Sequence, residues 1–328
     1  MPVWTYRTVR TRRYARPTLR TSRAIRAAAW CVMAAGVAAP AVRRRARLPA
    51  PVVLVAAAAA PVALSVALPR TRARDAAVVA LQMWAYVAAY EMPNDDPDRL
   101  RARVKVDYPV RFDRALGLGV PPGIRLQRLA SRPGSFRRYE KVMVWSHWIW
   151  FLVPHGTIAY ILVFHRERFE SAVVRMYATF DVGVVLYWLV PTAPPWYAAQ
   201  HGAMEGGETP AIRRMMIEYG EAFWREKWAR LYDALAGNPL AAMPSLHFVT
   251  SVMAAHLLTE IGPVHAAVGW AYALTLGSAL VYLGEHYVVD LMAGLALTET
   301  VRGPGRHLAP LLRAGSSAIR ALEARAQA

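Results

Sequence analysis

The chain has 328 residues, of which 55% are hydrophobic, and its formal net charge at pH 7 is +18. This combination excludes an ordinary soluble domain, because such a domain spreads a milder charge over the surface of one core. Nucleic-acid binding is set aside as well, since no known nucleic-acid-binding module accompanies the basic residues. The apolar residues must therefore be segregated from the basic ones along the chain.

Residues 1–50 form a basic, Ala-rich region. Within it, the stretch 27–42 is apolar but short, so it predicts either an additional membrane span or a helix at the membrane interface. The Arg residues that precede this stretch are expected to contact anionic lipid headgroups, where each basic side chain contributes on the order of 1 kcal/mol. This region is therefore predicted to be membrane-associated.

Seven largely apolar blocks follow, and each predicts a helix at the membrane. A helix needs roughly 20 apolar residues to cross the hydrocarbon core, and the blocks reach that length either alone or with their flanking residues. They cover residues 52–68, 76–90, 142–164, 172–190, 246–261, 264–283 and 287–301. The sequence thus predicts an all-α, polytopic membrane helix bundle, with a transmembrane domain over residues 51–303 and a C-terminal tail over 304–328.

Two long polar segments, 91–140 and 191–244, interrupt the apolar blocks. In the second segment, apolar residues recur at helical spacing from Ile212 to Leu235, and charged residues fill much of the other face. This pattern predicts an amphipathic surface helix. The helix either lies along the membrane or packs as a polar cap on the bundle.

The order of the blocks brings three distant features to one side of the membrane. We place the end of the block 172–190 on the side that carries the segment 191–244. The block 246–261 then crosses away from that side, and the block 264–283 returns to it. The features that meet there are residues 191–196 (Pro-Thr-Ala-Pro-Pro-Trp), 244–247 (Pro-Ser-Leu-His) and 284–290 (Gly-Glu-His-Tyr-Val-Val-Asp).

Two short basic loops, 70–74 and 165–170, fall on the opposite side in this arrangement. Because short loops rich in Lys and Arg remain in the cytoplasm, that side is predicted to be cytoplasmic. The three features then meet on the external face of the cell membrane.

His286 and Asp290 are four residues apart, so on a helix they lie on one face. A carboxylate that accepts a hydrogen bond from one imidazole nitrogen directs the lone pair of the other nitrogen at a substrate. Such an imidazole can attack phosphorus, and His247 can protonate the leaving alkoxide. Ser245 and the helix start that follows it can hold phosphate oxygens. Two other interpretations of these residues are a purely structural hydrogen bond and a metal site.

Residues 244–247 and 284–290 resemble the two histidine motifs of the type 2 phosphatidic acid phosphatase superfamily. They are most similar to its branch of inositol phosphorylceramide synthases and actinobacterial relatives. Residues 187–196 and 112–117, together with Leu126-Gln127, are similar to further motifs of that branch. The resemblance covers roughly residues 107–300.

The resemblance implies a core of six transmembrane helices and a reaction that needs neither a metal nor another cofactor. It places the nucleophile on His286, the orienting acid on Asp290 and the acid for the leaving group on His247. The transmembrane domain would then be the catalytic domain, and a covalent phosphohistidine would be the intermediate.

The sequence departs from the family at Leu280, where classical members have an Arg six residues before the nucleophile. Another group must therefore neutralise the phosphoryl transition state. His147 and His155 are eight residues apart and are predicted to share a helix face that points into the bundle, and Arg175 is alternatively an intramembrane partner of Asp181. The candidates for binding substrate or phosphate are Ser245, Tyr187, His147, His155, Arg213, Arg214 and Arg175.

The predicted function is that of an integral-membrane lipid phosphotransferase or phosphatase. The donor would be a phospholipid or a polyprenyl- or sphingolipid-type phosphate, and the acceptor an inositol- or sugar-type alcohol or water. The long polar segments favour a synthase with an acceptor pocket. The alternative is a transporter or scaffold that keeps the fold without chemistry.

Overall fold

The structure, a computed structural model, describes residues 19–132, 134–204, 211–235, 237–303 and 309–328. No β-strand occurs in these ranges, and the prediction of an all-α protein is confirmed. The helices are α1 (Leu19–Ala46), α2 (Ala50–Ala67), α3 (Arg72–Glu91), α4 (Pro97–Arg103), α5 (Asp107–Leu116), α6 (Pro122–Ala130), α7 (Arg138–Trp148), α8 (Leu152–Phe164), α9 (Arg166–Leu189), α10 (Pro195–Gln200), α11 (Met215–Trp224), α12 (Trp228–Leu235), α13 (Leu246–Thr259), α14 (Pro263–Tyr282), α15 (Val288–Arg302) and α16 (Ala309–Gln327).

Among the described helices, α1, α2, α9 and α14 are long and apolar enough to cross a membrane. The pair α7 and α8 passes the same test together, and α13 is a shorter apolar helix. The chain is therefore a polytopic membrane protein, as predicted. The stretch 27–42 lies within α1, whose length and hydropathy suit a span.

The apolar block 142–164 is not one straight helix. It divides into α7 and α8, which are bent by 58° at the break between them. The predicted amphipathic helix is also interrupted, because a 3-10 turn over Arg225–Lys227 separates α11 from α12. Arg225 has φ +51°, a left-handed conformation that no α-helix accommodates.

The C-terminal tail contains α16, which packs against α1 and α2. Glu323 on α16 forms ion pairs with Arg70 at 2.9 Å and Arg74 at 3.3 Å. These two arginines lie in the link between α2 and α3 and in the first turn of α3. The two terminal helices therefore pack on each other and on α2, and α2 joins them to α3.

The centre of the bundle is α13, which contacts α14, α15, α9 and α8. Its sequence is apolar on nearly all sides, and a helix of that kind is stable only when it is surrounded. The helix α3 packs on α9, and α7 packs on α14. These elements, with α7 and α8 counted as one bent element, form the six-membered core that the resemblance implies.

A close approach between α9 and α13 sets where α13 begins. A Cβ atom on Gly183 would lie 2.3 Å from Cδ2 of Leu246, so only glycine allows this contact. Leu246 is the first residue of α13, and His247 is the second. The contact between Gly183 and Leu246 therefore helps to set the position of His247, a candidate catalytic residue.

At its other end, α13 is held by ion pairs. Arg175 on α9 binds both carboxylate oxygens of Glu260, at 2.5 and 2.9 Å. His256 contacts Glu299 of α15 at 3.0 Å, and Glu299 pairs with Arg302. At a rise of about 1.5 Å per residue, Glu260 lies about 20 Å and His256 about 14 Å along α13 from His247.

Candidate active site

The three predicted motifs meet at one end of the bundle. The backbone N–H of Trp196 donates to the carbonyl of Gly284 at 3.3 Å, and that of Ser245 donates to the carbonyl of Asp290 at 3.1 Å. Gly284 has φ +80°, which lets the chain turn sharply from α14 towards α15. The convergence that was deduced from the order of the helices is confirmed.

The His286 imidazole is oriented by Asp290. Its Nδ1 lies 3.2 Å from Oδ2 of Asp290, and the same oxygen accepts the backbone N–H of Tyr287 at 2.9 Å. His286 precedes α15, so a capping turn makes this contact, whereas the sequence predicted two residues on one helix face. With Asp290 fully buried and a proton held on Nδ1, the lone pair of Nε2 is available for attack.

His247 faces the attacking atom of His286. Its Nδ1 lies 3.3 Å from Nε2 of His286. The ring stacks on His147 with centroids 4.6 Å apart and contacts Trp150 at 4.2 Å. His147, one of the predicted site residues, is thus in contact with His247. Two nitrogen bases are therefore held side by side, one oriented by a carboxylate and one by aromatic packing.

Ser245 and Tyr187 hold the start of α13. The Ser245 hydroxyl accepts the N–H of Phe248 at 3.4 Å as a helix cap. The Tyr187 hydroxyl donates to the carbonyl of Pro244 at 2.8 Å and accepts the N–H of Leu246 at 3.3 Å. Both residues are buried. Their predicted role in binding phosphate is therefore corrected to one of supporting His247.

His155 does not share a face with His147, contrary to the prediction, because the break between α7 and α8 separates them. Its Nδ1 donates to the carbonyl of Phe151 at 2.7 Å, and its ring stacks on that of Phe151. It also packs beside Phe180, with centroids 5.6 Å apart. His155 is therefore a packing residue of α8.

The predicted pairing of Arg175 with Asp181 is wrong. Asp181 accepts two hydrogen bonds from Gln82, at 3.0 and 3.1 Å, while Arg175 binds Glu260. Glu260 caps the end of α13 that is remote from His247. Arg175 therefore anchors the opposite end of the bundle and is removed from the candidates for binding phosphate.

The two neighbouring arginines of the polar segment have different surroundings. Arg213 pairs with Glu218 at 2.6 Å and donates to the carbonyl of Arg132 at 2.9 Å. The Arg214 guanidinium stacks 3.7 Å from the ring of Trp196 and donates to the Tyr232 hydroxyl at 3.0 Å.

Arg214 lies beside the turn that carries the nucleophile. Burial raises the pKa of the Glu285 carboxyl, and the positive charge of Arg214 opposes that rise. Glu285 immediately precedes His286 in the chain. Leu280, at the position of the classical Arg, is fully buried in the core. Arg214 is therefore the arginine best placed to supply the missing charge.

Two polar residues that support the site were quoted in the sequence motifs but given no role. Gln127 donates to the carbonyls of Arg213 and Tyr282, at 3.0 and 2.7 Å, and accepts the N–H of Arg213 at 2.8 Å. Asp113 accepts backbone N–H groups at the start of α15. A signal for Asp113 was present, because Val110 and Asp113 are three residues apart on the buried face of α5.

Residues 110–301 match the PAP2 superfamily, which is more than half of the chain. The phosphoinositol dihydroceramide synthase of Bacteroides thetaiotaomicron is 28% identical over 152 residues, which is 41% of this chain and 45% of that protein. The catalytic subunit of the Schizosaccharomyces pombe inositol phosphorylceramide synthase is 27% identical over 122 residues, 35% of this chain and 27% of that protein. The Candida albicans inositol phosphorylceramide synthase is 32% identical over 125 residues, 37% of this chain and 26% of that protein. The chain thus spans less than half the length of these relatives, and no solved structure matches it.

Proposed function

We propose that this chain, which belongs to the PAP2 superfamily, is a membrane phosphatase or phosphotransferase that acts through a covalent phosphohistidine on His286. The observation that carries the proposal is the contact series from Asp290 through His286 to His247. In this series, the His286 imidazole has a carboxylate on one side and a second imidazole on the other. This arrangement meets the requirements of nucleophilic attack with acid assistance.

In the first half of the proposed reaction, Nε2 of His286 attacks the phosphorus of a lipid phosphate. The bond from phosphorus to the leaving alkoxide breaks, and His247 gives that oxygen a proton. The Asp290 carboxylate stabilises the imidazolium charge that develops on His286. In the second half, His247 removes a proton from an acceptor hydroxyl or water, which attacks phosphorus and releases His286.

We propose lipid substrates with an inositol- or sugar-type alcohol as the transfer partner. Three similar proteins bear names of synthases that join phosphoinositol or inositol phosphate to a ceramide-type lipid. The short helices α4 to α6 and α10 to α12 belong to the two long segments between the apolar blocks, which favour a synthase with an acceptor pocket. We further propose that this end faces the external side of the cell membrane, because the short basic loops lie at the other end.

The partition between transfer and hydrolysis tests the proposed acceptor. We expect purified enzyme to transfer phosphate from phosphatidic acid to free inositol, or inositol phosphate from phosphatidylinositol to a ceramide hydroxyl, with release of diacylglycerol in both reactions. Release of inorganic phosphate or inositol phosphate should fall as the acceptor concentration rises. Products are followed by mass spectrometry, with His286→Ala as the blank. If no acceptor changed the rate of hydrolysis, the protein would be a phosphatase and the proposal of a synthase would fail.

The variant Arg214→Ala is expected to lower kcat/KM for a lipid phosphate by about 100-fold, since a preorganised cation at a phosphoryl transition state contributes on that order. Arg214→Lys should restore part of the loss, because it keeps the charge but not the planar stack on Trp196. Steady-state kinetics in detergent micelles give both values.

The matched control is Arg213→Ala, which removes the neighbouring guanidinium with its ion pair to Glu218. We expect it to reduce thermal stability and to leave kcat/KM within a few-fold of wild type. A larger kinetic loss in Arg213→Ala than in Arg214→Ala would assign the phosphate contact to the wrong arginine.

A further inference from the structure

Asp113 on α5 is buried at the start of α15, although it is distant from that helix in sequence. It is 1% exposed, and its two carboxylate oxygens accept the backbone N–H groups of Val288 at 3.0 Å and Val289 at 3.1 Å. These N–H groups belong to the first two residues of α15 and have no carbonyl partner within the helix. A side chain from another helix therefore satisfies them.

Asp113 and Asp290 together satisfy three successive backbone donors. Asp290 accepts the N–H of Tyr287, and Asp113 accepts the next two, from Val288 and Val289. Asp290 is the following residue and directs the same carboxylate oxygen at His286. The position of the turn that joins His286 to Asp290 is thus fixed from outside by Asp113.

The charge of Asp113 also occupies the positive end of α15. A helix N-terminus attracts anions, and a phosphate group would otherwise compete for these N–H groups. The titratable groups that interact with Asp113 are Asp290 and Tyr287, both from the α15 side, and Tyr108 of α5 in turn interacts with Tyr287. Asp113 therefore occupies the backbone donors that an anion would otherwise bind at this helix start.

Building on the proposed phosphohistidine mechanism, we propose that Asp113 is a positioning residue that holds the turn from His286 to Asp290 in the geometry required for attack. It acts on the substrate only through that turn. Its loss should reduce the rate of the chemical step more than the affinity for lipid.

A pH dependence distinguishes positioning from simple packing. Burial raises the pKa of Asp113 to about 6, with the two backbone hydrogen bonds opposing the rise. As the pH falls through this value, Asp113 gains a proton and one oxygen no longer accepts an N–H group. Titration of Asp113 should therefore contribute to a decline of wild-type kcat below about pH 6, and the decline should be shallower when residue 113 cannot titrate.

The test compares Asp113→Asn with Asp107→Asn, which removes an exposed carboxylate from the first turn of the same helix. For Asp113→Asn we expect kcat to fall by about 10- to 100-fold with KM nearly unchanged, since small displacements of reacting groups cost that much. We also expect a shallower decline of kcat in acid, and altered 15N shifts of His286 in histidine-labelled protein. Asp107→Asn should match wild type in all three.

Wild-type kinetics, an unchanged decline of kcat in acid or unchanged His286 shifts in a folded Asp113→Asn protein would overturn the inference. A decrease in thermal stability alone, with normal kcat for the folded fraction, would do the same. If wild-type enzyme forms no phosphohistidine, the proposed mechanism fails, and the 15N shifts still decide whether Asp113 holds the turn.

Discussion

Alanine in place of His286 is expected to lower turnover of a lipid phosphate by about 10⁵- to 10⁶-fold, as removal of a nucleophile does in enzymes with covalent intermediates. The change removes the atom that bonds to phosphorus. It leaves the capping contact between Asp290 and the backbone of Tyr287 in place. The helix bundle should therefore fold, and expression and behaviour in detergent should remain close to wild type.

Two measurements make this result specific. Single-turnover reactions quenched in alkali, where phosphohistidine survives, should trap labelled phosphate on the wild-type protein and none on His286→Ala. His256→Ala is the matched control, because it removes a histidine that pairs with Glu299 at the remote end of α13. Retention of full turnover by His286→Ala would end the covalent mechanism, and would reopen the possibility of a different nucleophile.

Asparagine in place of His247 is expected to lower turnover by about 10²- to 10⁴-fold for a substrate with an alkoxide leaving group. The same variant should form the phosphohistidine at nearly the normal rate from a p-nitrophenyl phosphate ester. Its leaving group, nitrophenolate, departs without a proton. Because the proposed mechanism also makes His247 the base of the second half-reaction, the intermediate should then accumulate. Rapid-mixing absorbance at the nitrophenolate band, together with trapped label, measures both effects.

The control for this experiment is His155→Asn, which alters a histidine that packs on Phe151 and Phe180. It should show no dependence on the leaving group. If His247→Asn slowed both substrates equally, His247 would only position His286 and would not transfer a proton. The loss of turnover with the alkoxide substrate, divided by the loss with the nitrophenyl substrate, therefore shows whether His247 transfers a proton.

The sequence was sufficient to predict the meeting of His247, His286 and Asp290. Helices of spanning length must alternate in direction, so their order alone determines which ends come together. The all-α class follows from the same argument, because only backbones with internal hydrogen bonds cross the membrane in this way. The convergence was thus predicted without side-chain geometry.

The residues that surround this trio could not be predicted by the same reasoning. The apolar block 142–164 gave no sign of the bend between α7 and α8, because apolar composition does not reveal where a helix breaks. His147 and His155 were therefore assigned to one face. The partner of Arg175 is Glu260, a residue that is distant in sequence and becomes a neighbour only through packing.

Asp113 illustrates a different limit. In the described part of the chain, the hydrogen-bond partners of its buried carboxylate are backbone N–H groups. Such partners leave no complementary side chain in the sequence, so a search for charge pairs does not find this residue. Its place on the buried face of an amphipathic helix was visible, but the helix that it caps was not. The same holds for Gln127, which binds two backbone carbonyls.

The two ends of α13 are held by different kinds of contact, ion pairs at one end and buried hydrogen bonds at the other. The remote end relies on ion pairs such as Arg175 with Glu260, whose members can be exchanged or lost without moving His247, about 20 Å away. The end that carries His247 is held by buried groups, among them Asp290 and the backbone hydrogen bond from Ser245 to its carbonyl. Substitutions of Arg175 or Glu260 should therefore change the stability of the bundle more than the geometry around His247.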